Sequence, residues 1–519
     1  DGYNLFYPHN QSNAYLIDNC GKLVHSWDPD ETSRPGNSAY IQENGDVILA
    51  HRPASIADDP IWAGGGGATI QRRTWSNELI WSYTKNDSTG RLHHDMAVMP
   101  NGNVLAIQWE VMDSLTAVAN GRNPELITQT NIWPDMIIEL EPDGNGGAEV
   151  IWEWHVTDHL IQDFDENADN YGVVADNPGL IDYNYGNAGG SSDWNHCNAI
   201  DYNWYTDQIL LSVPTFDEIW IIDHSTTIGQ AAEHSGGSSG IGGDLMWRWG
   251  NPAAYQRGDS SDQKLFYAHN CHWEHLALPL GHPDYGKIAV FSNRNSDTTS
   301  MAHLINPVFD DYDWYYPMQD DVFNPLDFDW SYGPTGEDNI HSDILSSVQR
   351  LENGNTLIGI GRPGRAIEIT PNEEIVWEYK TPLQGGAPVA QTTELPLSAN
   401  LTFRMERYPI DFPGFDGQDL TPGDPLELEP VWLPGCAPIS VEENEDFPIS
   451  LYPNPAEQSV QVNIPVSENG SLLQIFNMLG KLVHSQIING NTTLDLTALS
   501  SGTYVVQLNN GSSTKLMVH

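Results

Sequence analysis

One strand pattern occurs twice in the chain, and it constrains the fold more than any other feature. Each copy begins near a histidine, passes through an Asn-Gly-Asn turn into an apolar strand, and ends in a tryptophan-bearing strand. The two copies span residues 94–154 and 341–379. Because a four-stranded unit of this size cannot bury both faces alone, it must stack against further copies. The repeat therefore predicts an all-β fold, a β-propeller, in which the same strand of every unit lines a central channel.

Weaker copies extend the repeat around the chain. The five continuous units are residues 40–84, 94–154, 196–249, 269 or 272 to 316, and 341–379. Two leftover segments, residues 14–27 and 401–407, carry the late and early strands of one more unit. Joining them predicts a six-bladed ring that is closed by its two ends, which removes exposed sheet edges. The 46 glycines and 34 prolines are typical of an all-β chain with many turns.

Composition changes after the propeller region, which we assign to residues 1–410. Residues 411–446 are rich in proline, glycine and acidic side chains and are interpreted as a linker. From residue 447 to 519, short segments alternate apolar and polar residues, as half-buried strands do. This region predicts a small β-sandwich C-terminal domain.

Charge excludes several classes of partner. The 71 acidic and 21 basic residues give a formal net charge of −50. Such a surface repels phosphate backbones and anionic membranes, so we expect no nucleic-acid partner. No apolar stretch reaches membrane-spanning length, so we expect no transmembrane segment. We interpret the charge as adaptation to a salty or calcium-rich exterior, and the start of the chain within a strand as a processed N terminus.

The four cysteines suggest an oxidising compartment. Cys20 and Cys436 lie near the two ends of the propeller region, where a disulfide would clasp it. Cys197 and Cys271 each adjoin a candidate site histidine. A zinc site of these two thiols with His196 and His272 is disfavoured because adjacent strand residues point apart. A Cys197–Cys271 disulfide between neighbouring units is favoured, and unpaired burial is the alternative.

Histidines recur at matching places in the units and predict a ring of imidazoles in the channel. The candidates are His93 or His94, His196, His269 or His272, and His341. Strand side chains alternate, so His93 and His94 are not expected to share a face, nor are His269 and His272 if their strand is regular. A single such histidine more often only binds backbone carbonyl groups. Four of them at matching positions favour a functional site.

Several ordered motifs accompany these histidines. They are His93-His94-Asp95 before Pro100-Asn101-Gly102-Asn103, Trp194-Asn195-His196-Cys197-Asn198-Ala199-Ile200-Asp201-Tyr202, Glu218-Ile219-Trp220-Ile221-Ile222-Asp223-His224-Ser225, Arg248-Trp249-Gly250-Asn251-Pro252, Gln263-Lys264-Leu265-Phe266 followed by His269 and His272-Trp273, and residues 349–358. Through them the propeller region resembles the aryl-sulfate sulfotransferases over most of residues 1–410.

The resemblance implies a transfer, independent of PAPS, of a sulfuryl group from a phenolic sulfate donor to a phenol acceptor through a sulfurylated histidine. By position it implies His269 as the nucleophile, with His272 as the alternative, and His94 and His196 as leaving-group and sulfuryl-binding partners. The chemistry suits these residues, because neutral imidazole is a nucleophile near pH 7 and cations offset charge that develops on oxygen. No cofactor is implied.

One position departs from the family pattern. The family's enzymes carry an arginine on the strand after the His196 motif, where this chain has Leu211-Ser212-Val213-Pro214. Arg294 is the candidate catalytic replacement, and Arg362 or Arg365 in the fifth unit are the alternatives. His341, Arg362 and Arg365 are candidate substrate-binding residues. The missing arginine favours an alternative function, a catalytically silent propeller that acts as a cell-surface binding or structural protein. A sulfatase-type hydrolase that uses water as acceptor is a third possibility.

The tail carries its own ordered motifs. They are Leu451-Tyr452-Pro453-Asn454-Pro455-Ala456, Asn477-Met478-Leu479-Gly480-Lys481, Gly502-Thr503-Tyr504 and Lys515-Leu516-Met517-Val518. Together they resemble the C-terminal sorting domain of the Bacteroidetes type IX secretion system. The resemblance implies export through the periplasm and outer membrane, with the secretion machinery as a partner, and a secreted or cell-surface location.

An acidic loop offers a weak structural calcium site. Asp163, Asp165, Asn167 and Asp169 occupy alternate positions, and calcium prefers such oxygen ligands. The glycine and closing glutamate of a calcium loop are not in register, so a solvated acidic loop is favoured over the ion site.

Overall fold

The computed structural model contains two compact units, Asp1–Val431 and Trp432–His519. It describes residues 2–57, 59–186, 190–274, 278–336, 338–431, 436, 449–464, 469–477, 480–509 and 512–519. Most of the predicted linker after residue 431, and Met478 and Leu479 of the tail motif, lie outside the described residues. Within these ranges, no helix is both long and apolar enough to cross a membrane.

Six antiparallel sheets, each built around four strands, form the main body of the first unit. The first sheet contains Ser33–Ile41, Val47–Pro53, Thr69–Arg73 and Leu79–Thr84. The second contains Gly90–Val98, Val104–Glu110, Asp135–Pro142 and Ala148–His155, with Asn86–Asp87 at its edge. The third contains Ala199–Asn203, Gln208–Val213, Glu218–Asp223 and Trp247–Trp249.

The fourth sheet contains Ala268–Trp273, Ile288–Ser296, Thr299–Ile305 and Trp330–Tyr332. The fifth contains Ser347–Arg350, Thr356–Ile360, Arg365–Ile369 and Ile375–Lys380. The sixth contains Thr402–Tyr408, Tyr3–Pro8, Ala14–Ile17 and Leu23–Trp27, so strands from both ends of the unit pair as expected. The last strand of the fourth sheet differs from the expectation. The aromatic run 314–316 is not a strand, and Trp330–Tyr332 pairs with Thr299–Ile305 instead.

Short elements connect the sheets. The helices are Ser114–Ala119 and Ile228–Ala231, and the 3-10 turns are Pro124–Leu126, Val156–His159, Val174–Asp176, Pro252–Tyr255 and Pro413–Phe415. The two-residue strands are Met112–Asp113, Asn131–Ile132, Leu160–Ile161, Ile181–Asp182, Met318–Gln319, Val322–Phe323, Leu383–Gln384 and Ala387–Pro388.

The repeated Asn-Gly-Asn motif forms the same hairpin in the second and fifth sheets. In one, Met99 N–H donates to Asn103 O at 2.9 Å, and in the other Leu351 N–H donates to Asn355 O at 2.9 Å. The third motif residue also repeats its contact, since Asn103 Nδ2 donates to Glu139 and Asn355 Nδ2 donates to Glu368 on the following strand. The sequence repeat is thus a structural repeat down to side-chain hydrogen bonds.

Neighbouring sheets bury their faces against each other. Six hydrophobic clusters occupy the six spaces between consecutive sheets, counting the sixth and first as neighbours. The first strands of successive sheets also contact in a closed series. Carboxylates join some of them, as Asp95 accepts from Ile200 N–H and Asp201 from Trp273 N–H. Stacking of this kind provides the burial that one sheet alone lacks.

The first unit extends beyond the predicted end at residue 410. Phe415 is buried beside the sixth and first sheets, and Leu426 beside the fifth and sixth. Leu23 N–H donates to Asp424 O, and Leu428 N–H donates to Val389 O. Proline and glycine content suggested a linker here, but the apolar side chains among them are packed.

The second unit contains two antiparallel sheets. One has Ser450–Tyr452, Ser459–Asn463 and Thr492–Asp495, and the other has Ser471–Asn477, Leu482–Ile488, Gly502–Leu508 and Ser513–Val518. Val460 and Val462 of the first sheet share one hydrophobic cluster with Leu473, Ile475 and Val506 of the second. The alternating pattern of these strands therefore produces one buried face per sheet.

Candidate functional site

Three of the predicted histidines, His94, His196 and His269, lie in or just before the first strands of the second, third and fourth sheets and come together as a group, here named the histidine cluster. The rings of His94 and His196 are nearly perpendicular, with centroids 4.5 Å apart. The ring of Tyr267 lies 6.0 Å from that of His196 and 5.7 Å from that of His269. Phe403 lies 6.2 Å from His94 and 6.5 Å from His269. Side chains from four sheets thus meet here.

Backbone irregularities position these rings. His94 and His196 have φ values of +52° and +57°, which side-chain-bearing residues rarely adopt. His269 and His272 pair with Phe291 and Ala289, so three steps on one strand oppose two on the other. A bulge of this kind re-aims side chains, and the alternation expected for a regular strand does not apply between these two histidines. Backbone strain of this sort is typical of functional sites.

His93 and His94 are adjacent but have different surroundings. The ring of His93 stacks on Trp109, with centroids 4.0 Å apart, and its Nε2 lies 3.1 Å from Asp135 Oδ1. The two Nδ1 atoms of His93 and His94 are 2.8 Å apart. Of the pair, His94 is the one in ring contact with His196. His93 instead packs on Trp109 and contacts His94 through its Nδ1 atom.

A glycine loop covers His94. Gly65 O accepts from His94 N–H at 2.8 Å and from Asn37 Nδ2 at 2.7 Å. A Cβ atom added at Gly65, whose φ is +81°, would lie 1.9 Å from His94 Nε2. The close approach therefore depends on the absence of a side chain at this position.

The charges of the three histidines differ. Burial lowers the pKa of His196, but Asp193, whose carboxylate lies 2.5 Å from Nδ1, outweighs this and raises the pKa overall. Asp193 is itself held by Trp109 Nε1–H at 3.0 Å. Burial holds the pKa of His94 well below its usual value, and repulsion from His196 adds to this. Of the three, His196 is the one whose pKa is raised.

His269 is held neutral and oriented. Burial lowers its pKa to about 3. Its Nδ1 lies 2.7 Å from Asn293 Oδ1, and the Asn293 amide donates to Ser342 O and Leu345 O, so the amide oxygen faces the ring and the ring donates from Nδ1. The lone pair therefore belongs to Nε2, which accepts a long 3.2 Å hydrogen bond from Leu345 N–H.

Two arginines flank the cluster. The Arg294 guanidinium is exposed and lies 3.5 Å above the centre of the Tyr267 ring, and its Nε donates to Asp343 O at 3.0 Å. Arg404 lies 4.9 Å from the centre of the Phe403 ring on the other side, and its Nη2 is 2.5 Å from Asp95 Oδ2.

Arg404, Tyr267 and Asp193 were not singled out from the sequence. Arg404 lies within the segment predicted to close the ring, so its place on a first strand was a usable signal. Tyr267 lies two residues before His269, and Asp193 lies three residues before His196. Nothing in the strand pattern shows that these two loop residues turn towards the histidines.

Two predicted histidines lie apart from the cluster's ring contacts. His272 Nε2 lies 3.6 Å from Glu274 Oε1, and although burial lowers its pKa, Glu274 raises it to about 9 overall. His341 Nδ1 lies 3.4 Å from Ser300 Oγ. The chain reaches the fifth sheet six residues after His341, so the matching position there is occupied by Leu345.

The predicted substrate-binding arginines are engaged in ion pairs. Arg362 Nη1 lies 2.7 Å from one oxygen of Asp343 and 2.5 Å from the other. Since Asp343 O also accepts from Arg294, Arg362 stands next to the site. Arg365 Nε lies 2.7 Å from Glu378 on the neighbouring strand.

The strand after His196 carries no cation. Leu211 and Val213 are buried between the second and third sheets. Ser212 Oγ donates to Asn198 Oδ1. The position at which the resemblance expects an arginine therefore belongs to the core.

The acidic loop uses its oxygens internally. Asp165 Oδ1 accepts from Asn167 N–H at 3.0 Å, and Asp163 Oδ2 accepts from Gln256 Nε2 at 3.1 Å. Asp169 is exposed. In the part of the chain that the structure describes, these carboxylates do not form a close group of three.

The favoured Cys197–Cys271 disulfide is wrong, because both cysteines are free and buried. Cys197 packs between the second and third sheets, and Cys271 between the third and fourth, so their side chains belong to different layers. Cys20 and Cys436 are both disulfide-bonded. The thiols of the third and fourth sheets are therefore core residues.

Two family models match the chain. The arylsulfotransferase model matches residues 4–230, which include His94 and His196, and the secretion system C-terminal sorting domain matches residues 450–519. Beta-agarase A of Zobellia galactanivorans is 36% identical over 81 residues, 15% of this chain and 15% of that protein. The chain thus spans a small part of that relative's length.

Similar solved structures are distant. A protein of unknown function from Bacteroides caccae has a TM-score of 0.41 and 9% identity, with 78% of this chain and 98% of that chain covered. The periplasmic gluconolactonase of Pseudomonas aeruginosa has a TM-score of 0.38 and 7% identity, with 78% and 99% covered. Function is therefore not inferred from them. Residues 4–230 thus match the arylsulfotransferase family model, and residues 450–519 match a type IX secretion C-terminal sorting domain, which directs the protein to the cell surface or the medium.

Proposed function

We propose that this protein is an exported aryl-sulfate sulfotransferase that moves a sulfuryl group from a phenolic sulfate ester to a phenol through a sulfurylated histidine. The observation that carries the proposal is the meeting of His94, His196 and His269 beside Arg294. The arylsulfotransferase match over the segment that supplies His94 and His196 supports it.

The scaffold in this proposal is a six-bladed propeller with a sandwich-like tail. Six sheets, six inter-sheet hydrophobic clusters and a closed series of first-strand contacts support the blade count. The first strands then line the channel, and three of them, with the residues just before them, supply the histidine cluster. Two sheets with one shared core support the sandwich.

His269 is the proposed nucleophile. The side chain is neutral, and Asn293 fixes its proton on Nδ1, so the lone pair of Nε2 is available once a donor displaces the long bond from Leu345. Nε2 attacks sulfur, an N–S bond forms, and the S–O bond to the aryl group breaks. The phenolate leaves with the electron pair of that bond.

His196 is the proposed acid. Asp193 raises its pKa, which favours the protonated ring, and this ring gives its proton to the departing phenolate oxygen. In the second half-reaction neutral His196 takes the proton of the incoming phenol, whose oxygen attacks sulfur as the N–S bond breaks. His94 lies beside His196 and fixes its ring. The donor ester itself supplies the group, so the reaction balances without a cofactor.

Arg294 is the proposed binder of the sulfuryl oxygens, in place of the arginine missing after His196. Its guanidinium is exposed and lies 3.5 Å from the centre of the Tyr267 ring, which itself neighbours His196 and His269. A guanidinium matches the spread charge of a sulfate oxygen array. Arg362 is paired with the carboxylate of Asp343, whose backbone carbonyl accepts from Arg294, so the pair holds this segment next to Arg294.

Turnover of 4-nitrophenyl sulfate with and without added phenol tests this function. Phenol-dependent release of nitrophenolate that is lost in His269→Ala supports the transferase, and His272→Ala serves as the matched histidine control. Release that needs no phenol would instead indicate a hydrolase with water as acceptor. No release with a panel of phenolic sulfates would favour the silent propeller.

One observation favours that silent alternative. The strand segment expected to carry the arginine consists of buried Leu211, Ser212 and Val213. The arginine is therefore missing from this segment and not displaced by one residue. A surface-binding propeller would retain the fold and the sorting domain without turnover. In that case the sulfated phenol would still bind at Arg294, and Arg294→Ala would abolish binding.

A further inference from the structure

A second histidine group lies away from the histidine cluster, at the boundary between the second and third sheets. His159 Nδ1 lies 2.8 Å from Asp244 Oδ1, and His234 Nδ1 lies 2.7 Å from the same oxygen. The three donor atoms lie within 4.8 Å of one another. His159 follows the last strand of the second sheet, and His234 and Asp244 bracket a loop between the last two strands of the third.

The ring of His159 is fixed from every side. It stacks on Trp154 with centroids 5.3 Å apart and planes 8° from parallel, and Trp154 Nε1 donates to Gly243 O at 2.7 Å. No side chain fits at Gly243, because a Cβ there would lie 2.0 Å from Ala231 O and 2.6 Å from His159 Nε2. The ring is fully buried. Its orientation towards Asp244 is thus predetermined.

The hydrogen bonds of His159 leave one nitrogen for a ligand role. Its Nε2 lies 2.8 Å from Ala231 O, and a carbonyl oxygen only accepts, so Nε2 carries the proton. Nδ1 is then the ring nitrogen that faces Asp244 Oδ1, at 2.8 Å, and it is the one that can bind a metal ion together with that carboxylate. Donation of the second ring N–H to a backbone carbonyl is also what metal-binding histidines typically show.

We propose that His159, His234 and Asp244 form a transition-metal site, with zinc as the favoured ion. Imidazole and carboxylate ligands suit zinc, which takes them at about 2.0–2.2 Å. Ligand atoms around a tetrahedral ion at that distance are about 3.3 Å apart. The present separations of 2.7 and 2.8 Å require a small opening, which His234, whose side chain is 57% exposed, can supply.

The site's role would be to close a loop. Residues 234–244 contain five glycines, and ordering so flexible a segment costs conformational entropy. A metal held by His234 and Asp244 joins the two ends of this loop and fixes both to His159 of the second sheet. The site therefore stabilises the boundary between two sheets and takes no part in the transfer reaction.

Zinc titration of the full chain tests the proposal. After chelator treatment and dialysis, calorimetry in buffer with excess Mg²⁺, which suppresses weak binding to the acidic surface, should show one zinc per chain with a Kd at or below about 10 µM. His234→Ala and Asp244→Asn should each weaken binding at least about tenfold. His282→Ala, a half-buried histidine outside the group, should leave it unchanged.

Zinc should also raise the melting temperature of the wild type and of His282→Ala, but not of His234→Ala, because the ion binds the folded state. Because His234 is exposed, its removal leaves the packing intact and the protein folded. Absence of zinc binding below about 100 µM, or binding that both ligand variants leave unaltered, would overturn the proposal. Neither result bears on sulfuryl transfer, which is measured separately.

Discussion

Gly65→Ala should disable the histidine cluster although no histidine is substituted. The new Cβ would lie 1.9 Å from His94 Nε2 and 2.1 Å from Cε1. Ordinary contacts of a Cβ begin at 3.4 Å, so the ring or the loop must move by about 1.5 Å. Because misplacing a catalytic group by about 1 Å can cost about 100-fold in rate, kcat/KM should fall by at least that factor.

The same change carries a modest stability cost. Alanine at a φ of +81° is disfavoured by about 1–2 kcal/mol, which lowers the melting temperature without unfolding the protein. Gly64→Ala is the matched control, since a Cβ there meets nothing within 4 Å. Phenol-dependent release of nitrophenolate and thermal melts should be recorded for both variants. A Gly65→Ala enzyme within twofold of wild-type kcat/KM would refute the placement of His94 in the site.

Three further predictions test the charges. His224 lies between Asp207 and Glu139 at 2.7 and 3.1 Å, and although burial lowers its pKa, these partners raise it to about 9. The rise of this pKa above 6.5 corresponds to about 3 kcal/mol of folding stability, which is fully present below pH 6.5 and is lost as the pH rises through 9. His224→Gln should therefore lower the free energy of unfolding by about that amount in urea melts at pH 6, and by less at pH 10. Arg248→Met leaves the fully buried Glu218 unpaired and should cost about 3–5 kcal/mol in the same melts. Asp193→Asn removes the carboxylate that raises the pKa of His196, so the basic limb of the kcat/KM pH profile should move to lower pH; an unmoved limb would remove His196 as the acid.

Much of the scaffold could be predicted because it is repetitive. Hydrophobic alternation and the two Asn-Gly-Asn turns recur with the spacing of the strands. The N-terminal and C-terminal segments of the unit lack strands that the other supplies, and they pair in one sheet. The run 314–316 was misassigned because aromatic residues favour strands wherever they lie. Trp330 and Tyr332 carry the same signal and are the ones that reach a partner strand.

The site was only partly predictable, because its geometry depends on irregular backbone. Strand alternation places His93 and His94 on opposite faces, whereas the positive φ of His94 accompanies an approach of their Nδ1 atoms to 2.8 Å. Nor can alternation foresee the bulge between His269 and His272 or the positive φ of His196. Arg404 and Asp95 are 309 positions apart in the chain, and ring closure brings them into contact. Cys197 and Cys271 show the opposite case. Each adjoins a candidate histidine in the sequence, yet the two cysteines are buried in different layers.

The most direct test of the central claim is the mass of the protein seconds after mixing with 4-nitrophenyl sulfate in the absence of phenol. A sulfurylated imidazole adds one sulfuryl group, about 80 Da, and proteolytic mapping under alkaline conditions should locate it on His269. Added phenol should then discharge it. A wild-type protein that releases nitrophenolate in step with phenol sulfate but never carries the added mass would contradict transfer through a histidine.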